Sequence, residues 1–503
     1  MSFIAKKIEI HTDRRVAVLN EKDAARLALK ESDRVKVHCG GRSASAILSV
    51  SPKLVAEGEA GIFDTLNDVL QVRDGDQVEV KISEAPQSVQ FVKKKMMEGV
   101  ALTKEEIGSI VQDIVNLDLS DLEMAAFVMS QHFRGMNIDE AEALTRSMVE
   151  TGEIIDFERP VYDKHSVGGV PGNKVSLLIV PMTAAAGLFI PKLSSHAITS
   201  PSGTADTMQV LTNVDFSIEE FKEAAMKAGG AIAASTGLNI SPADDILIRH
   251  VEHPLGIDPV SQMAASIMSK KLAVGAKFLL LDIPTGKESK VETEEEARSL
   301  ASMFIELGRR VGMRVACGIT FGGAPVGHAV GPALEAREAL LALAGKAAST
   351  SLVEKSTSLT GMMFELAGVA SQGQGKEMAE ATIRSGKALA KMREIIAAQG
   401  GNPKVRPEDI PVGSHIGEIK AQYTGYVTRV SNAALVEIAR AAGAPAEKGA
   451  GFEIEGKVGH FVKKGDVILR IYAERESRLE AAHSLALHTE PIVIEGMLLD
   501  RIP

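Results

Sequence analysis

One stretch, Lys164-His165-Ser166-Val167-Gly168-Gly169-Val170-Pro171-Gly172-Asn173-Lys174-Val175-Ser176, concentrates side chains that can do chemistry. Lys164 offers a charge, His165 an imidazole, and Ser166 and Ser176 hydroxyls. The glycines let backbone N–H groups come close to a ligand. Leu177 to Leu188 is apolar, Ala-rich and uncharged, so it reads as a buried helix. A helix start favours negative charge. The stretch therefore reads as a charged, glycine-rich turn opening onto a helix: a phosphate cradle. The ATP-type loop needs Gly-Lys followed directly by Ser or Thr. Here Lys174 follows Asn173, and Ser176 comes two residues later, so that loop is excluded.

Two further sets lie downstream. A short strand, Ile190-Pro191-Lys192-Leu193, runs into Ser194-Ser195-His196-Ala197-Ile198-Thr199-Ser200-Pro201-Ser202-Gly203-Thr204-Ala205-Asp206, a loop rich in hydroxyls. Such a loop after a strand is where an α/β sheet binds ligands. Asp258-Pro259 and Ser261 open a helix on which Ser266 and Lys270, four apart, share a face. Lys271 points away from that face, like a solvated charge at a helix end.

The elements that must position these groups follow from period and punctuation. Residues 1–84 alternate in short strands, and Asp33-Arg-Val-Lys-Val37 echoes Asp76-Gln-Val-Glu-Val80, each after a short helix. A duplicated unit of this kind suggests a small closed barrel with pseudo-twofold symmetry. Residues 85–158 and 243–274 read as a helical lobe. Its starts carry the capping boxes Thr103–Glu106, Ser120–Glu123 and Asn137–Glu140. Residues 159–242 and 275–421 alternate strands with helices, the pattern of a mostly parallel sheet. Polar turns at Pro284–Lys290 and Gly322–Pro325 follow two of its strands, and Lys376–Gln399 reads as one long helix. Residues 422–503 read as a structural α+β domain. The expected fold is thus multidomain α/β and α+β, with the helical lobe and the α/β domain closing on the ligand.

Composition narrows the function. The formal charge of −10 and the absence of a Lys/Arg cluster argue against a nucleic-acid surface. Cys39 and Cys317 lie far apart and form neither a disulfide framework nor a metal set. No signal-peptide core and no membrane-length apolar run is present, so a cytoplasmic protein without a membrane partner is expected.

The Lys-His-Ser set joined to Gly-Gly-Val resembles the signature of the thymidine/pyrimidine nucleoside phosphorylase family, which moves a sugar from a base to inorganic phosphate. The resemblance spans roughly residues 90–480. It includes Ile190-Pro191 with Ser194, Gly203-Thr204, Arg249, Ser266-Ile267, Lys270-Lys271-Leu272, Leu334-Glu335 and Ser385-Gly386-Lys387-Ala388. It implies that Lys164, Ser166, Ser176, Ser194 and Thr204 hold phosphate. It places His165 between phosphate and base, and Arg249, Ser266 and Lys270 on the base.

Two departures point to a branch acting on nucleoside 5′-monophosphates. The loop after Ser194 lacks the His-Thr-Gly-Gly-Thr run of pyrimidine-specific members, and some 84 residues precede the first lobe helix. The branch implies nucleotide contacts from Gly168, Ser194, Ser195, His196, Ala197, Ile198, Thr199, Thr204, Ser266 and Lys290. Asp258 would give a proton to the leaving base, and His165 and Asp258 would be the catalytic pair. The expected reaction is phosphorolysis of AMP, with CMP and UMP as further substrates, in a homodimer or larger homo-oligomer. Inorganic phosphate would be a co-substrate, with no cofactor and no metal. A pyrimidine nucleoside phosphorylase is the nearest rival. A phosphoribosyltransferase would be expected to show an acidic magnesium-diphosphate motif. A nucleotide-binding assembly protein with a decayed site is the rival from another class.

Overall fold

The computed structural model describes residues 1–197, 200–346 and 349–497. The chain forms two compact units, Met1–Thr151 with Pro242–Ala265, and Gly152–Ser241 with Ser266–Pro503.

The first unit begins with a closed barrel of six strands: β1 (Ser2–Ile8), β2 (Val16–Leu19), β3 (Arg34–Cys39), β4 (Arg42–Val50), β5 (Glu59–Phe63) and β6 (Gln77–Ile82). The two echoing segments pair with each other. β3 and β6 run antiparallel with Val37 opposite Val80, its own repeat mate, as twofold symmetry demands. Inward alternation buries Val35, Val37, Val78 and Val80. Closure removes exposed strand edges.

The same unit continues in helices. All three capping boxes form, and Ile107, Ile110, Val111 and Ile114 are buried on one face. Lys95 and Glu140 form an ion pair at 2.8 Å inside the bundle, where the Glu140 carboxylate also accepts from Leu102 N–H and Asn137 N–H. Further on, Pro242–Leu247 leads into a π turn, Ile248–Glu252, in which His253 N–H donates to Ile248 O. Pro254, which cannot donate to the carbonyl four residues back, follows at once.

The second unit centres on parallel strands. β7 (Val161–Ser166), β8 (Ile190–Ser194), β9 (Gly230–Ala234), β10 (Ala276–Thr285) and β11 (Arg314–Phe321) form two sheets, β11-β10-β7 and β8-β9, with every pairing parallel. The uncharged stretch after the cradle is the helix Ser176–Ala185, buried almost throughout. Two expectations need correction. Lys164, His165 and Ser166 sit on β7, at its C-terminal end, and the turn begins after them. The span 376–399 is two helices, Gly375–Arg384 and Lys387–Ala398, because Gly386 at φ 74° breaks the run. The C-terminal part is α+β, with antiparallel sheets and the helices Asn432–Ala442 and Glu476–Thr489. Among the described residues no helix is long and apolar enough to cross a membrane.

Removing one partner of a buried pair leaves a charge without solvent or counter-ion. Lys95→Met is expected to lower the stability of the helical bundle by about 3 kcal/mol, read as an earlier first transition in chemical denaturation. An unchanged transition would contradict the pairing.

Candidate active site

β8 and β10 are apolar strands that each carry one buried charge, and β7 carries two in succession. Asp163 and Lys164 lie on β7, Lys192 on β8 and Asp282 on β10, all buried. The helix Thr350–Ala367 contributes buried Lys355, and Val260–Ala273 contributes buried Lys271. Four lysines thus share the core with two aspartates. Lys271 pairs with Asp163 at 2.7 Å and Lys355 with Asp282 at 3.2 Å. Lys164 reaches Asp282 only at 4.0 Å, and Lys192 reaches Asp163 only at 3.9 Å. Both carboxylates are therefore committed, and two ammonium groups remain in surplus.

Burying an unmatched charge costs several kcal/mol, so the group sheds its proton or takes an ion of opposite sign. Burial pushes Lys164 down to about 8 and Lys192 well below the usual lysine range. His165 is pushed well below its ordinary value, first by burial and then by Lys271, Lys192, Lys164 and Lys270. A neutral imidazole at neutral pH follows. Asp282 is held below the carboxylate range by Lys355, Lys164 and the hydroxyls of Ser166 and Thr320, which together outweigh its burial. Such an arrangement can attract an anion.

The turn after β7 is tightly built. Gly168 and Gly169 have φ of 96° and 86°. A Cβ on Gly169 would stand 2.6 Å from Lys290 N, so only glycine lets the 286–290 loop lie against the turn. Lys174 Nζ donates to Gly172 O and Val326 O, both at 2.9 Å, and pairs with Glu338 at 2.8 Å. Those bonds saturate Lys174, which staples the turn rather than meeting a ligand. Lys164 Nζ lies 3.5 Å from Ser176 Oγ at the helix start. The Ser166 hydroxyl donates to Asp282 and accepts from Asn173 Nδ2 at 2.8 Å.

β8 ends at half-buried Ser194, and Ser195 is exposed. The loop then folds back on itself. His196 Nδ1 lies 2.9 Å from Asp206 Oδ1, and Ala197 N–H and Gly203 N–H donate to Asp206 Oδ2 at 2.7 and 3.1 Å. Thr204 opens the helix Thr204–Gln209. Ile198 and Thr199 lie outside the described residues.

Lys164, Ser166, Gly168, Ser176, Ser194, Ser195, His196, Ala197, Thr204, Ser266, Lys270 and Lys290 all belong to the second unit. Ser266 and Lys270 are half-buried on one helix face, and Lys290 is exposed. The expectation for Lys271 is overturned. Away from the Ser266/Lys270 face lies the core, and Lys271 is buried on Asp163. Arg249 and Asp258 belong to the first unit. Arg249 stands on the π turn, 3.6 Å from Asp13. Asp258 is exposed just before Pro259. The sequence reading passed over Asp163, Lys192, Asp282 and Lys355 as site residues. The available signal was an acid inside an apolar run, Leu279-Leu280-Leu281-Asp282-Ile283.

Family models match three parts of the chain. They are the glycosyl transferase family helical bundle domain at 90–152, the a/b domain of that family at 158–389, and the pyrimidine nucleoside phosphorylase C-terminal domain at 426–492. AMP phosphorylase 1 of Archaeoglobus fulgidus is 50% identical over 501 residues, 99% of each chain. AMP phosphorylase of Thermococcus kodakarensis is 50% identical over 98% of each. That of Methanosarcina barkeri is 50% identical over 97% of this chain and 96% of its own. Anthranilate phosphoribosyltransferase from Thermus thermophilus shares the fold, with a TM-score of 0.52 at 21% identity, over 61% of this chain and 98% of that one.

The ammonium form of Lys164 attracts an anion, so affinity is present below about pH 8 and lost as pH rises through that value. Sulfate, whose charge is fixed over this range, is expected to bind about tenfold more weakly at pH 9 than at pH 7 in calorimetric titration. An affinity flat with pH would contradict a lysine-based receptor.

Proposed function

The chain belongs to the AMP phosphorylase family, and on that premise we propose that it phosphorolyses AMP to adenine and ribose 1,5-bisphosphate. Identity of about 50% over nearly the whole chain to curated AMP phosphorylases carries this reading. The buried lysine surplus supports it independently, because the reaction needs an inorganic anion held beside the sugar. CMP and UMP are proposed as further substrates, and a cytoplasmic homo-oligomer as the working form.

In the reaction the C1′–N bond breaks and its electron pair leaves with the base. An oxygen of phosphate forms the new C1′–O bond on the opposite ring face. Positive charge builds at C1′ on the way, as in glycoside cleavage. The attacking oxygen must already be in place, and water must be kept out. We assign the inorganic phosphate to Lys164, Ser166, Ser176, Ser194 and Thr204. Lys192 adds attraction once an anion beside it favours its ammonium form, while Lys271 and Lys355 stay paired with Asp163 and Asp282. Ser166 reaches phosphate by turning its O–H away from Asp282.

The nucleotide is assigned to Gly168, Ser194–Thr199, Thr204, Ser266 and Lys290, with Arg249 and Lys270 on the base. The hydroxyl-rich loop and Lys290 take the 5′-phosphate as a handle. His165, held neutral first by its burial and then by its lysine neighbours, serves as a hydrogen-bonding group between phosphate and base rather than as a cation. The proton that neutralises the leaving base is assigned to Asp258.

Adenine release from AMP is expected to require orthophosphate; a rate indifferent to it would exclude the reading. UMP should turn over faster than uridine; the reverse would favour a pyrimidine nucleoside phosphorylase. His165→Ala and Asp258→Asn should each lower turnover at least about tenfold, a barrier rise of roughly 1.4 kcal/mol. Wild-type rates would remove their roles.

A further inference from the structure

The described part of the loop between β8 and the helix Thr204–Gln209 has a narrow neck. A Cβ on Gly203 would stand 2.8 Å from Ala197 N and 2.9 Å from Ser195 O, so the two ends of the loop touch. One side chain closes that neck. Asp206, only 5% exposed, accepts from Ala197 N–H and Gly203 N–H through Oδ2. Its Oδ1 takes the His196 imidazole at 2.9 Å and Lys448 Nζ at 3.0 Å. A carboxylate only accepts, so His196 Nδ1 carries the proton of that bond.

Lys448 comes from far along the chain, between the helix Asn432–Ala442 and the strand Gly451–Ile454. Its carbonyl accepts from Ala333 N–H at 3.0 Å, at the start of the helix Pro332–Leu343. Glu335 on that helix receives the Thr207 hydroxyl at 3.4 Å, one residue beyond Asp206. The helix behind the loop is thus braced at two adjacent residues.

We propose that Asp206 is the positioning residue for the nucleotide-binding loop, and that Lys448, from the C-terminal part, is the counter-charge that holds it in place. Asp206 fixes the spacing between Ser194–Ala197 and Thr204, and it sets which face of His196 is presented. The C-terminal part thereby acts on nucleotide affinity through one charge pair, without touching the reacting atoms. This inference rests on the nucleotide role proposed for the loop.

The test uses the full-length protein with Asp206→Asn, Lys448→Met and Lys448→Arg. Asp206→Asn turns an acceptor into a donor facing N–H groups. KM for AMP is expected to rise at least tenfold in Asp206→Asn and several-fold in Lys448→Met. In both, kcat should stay within threefold of wild type, and Lys448→Arg should restore KM. Hydrogen exchange in the peptide covering 195–204 should speed up at least tenfold in Asp206→Asn, with β9 unchanged. A purely structural role would lower the melting temperature and kcat and leave KM unmoved; that result overturns the proposal. If Asp206→Asn fails to fold, Lys448→Met, whose side chain is 38% exposed, decides by the same KM readout. If wild type releases no adenine from AMP, the functional reading fails. The clamp then stands or falls on the exchange rates alone.

Discussion

The second unit depends on a charge imbalance in its core. In the cluster around β7, β8 and β10, Lys164, Lys192, Lys271 and Lys355 share Asp163 and Asp282, and close pairing uses up both carboxylates. Desolvation makes the remaining positive charge costly and holds Lys164 and Lys192 away from their usual protonation. A phosphate bound beside them would remove that cost and restore the ammonium forms. The same burial, reinforced by the neighbouring lysines, keeps His165 neutral. Anion affinity and imidazole chemistry at this site therefore have one physical source.

The scaffold explains how such a cluster is tolerated. Parallel strands place Asp163, Lys164 and Asp282 at fixed heights, with Leu280 opposite Lys164 and Asp282 opposite Ser166 in register. Asp282 is further held by Thr320 at 2.6 Å from the neighbouring strand. Lys174 and Glu338 fix the glycine turn, and a Cβ on Gly168 would meet nothing within 4 Å. Rigid partners below and glycines above allow backbone N–H groups to approach an anion closely. This is the usual division of labour at the carboxyl ends of strands in α/β sheets.

Local patterns were legible in the sequence. The barrel repeat, the capping boxes and the uncharged helix after the cradle are written within short windows, and the structure contains each of them. The helix break at Gly386 was misjudged because a single interior glycine carries only a weak penalty. Lys271 was misjudged because the face opposite a pocket was taken for solvent, whereas it is core. The cluster as a whole was not legible. Ser166 and Asp282 stand 116 residues apart in sequence, and only Asp282, inside its apolar run, stands out alone. Only the fold brings them together.

On the proposed reaction, the anion drawn into this core becomes the new substituent on the sugar. Incubation of AMP with isotopically labelled orthophosphate tests it most directly. The account predicts one labelled phosphoryl group esterified at C1 of the sugar product for each adenine released, beside the unlabelled group at C5. Release of adenine with ribose 5-phosphate, the label remaining entirely in orthophosphate, would contradict it.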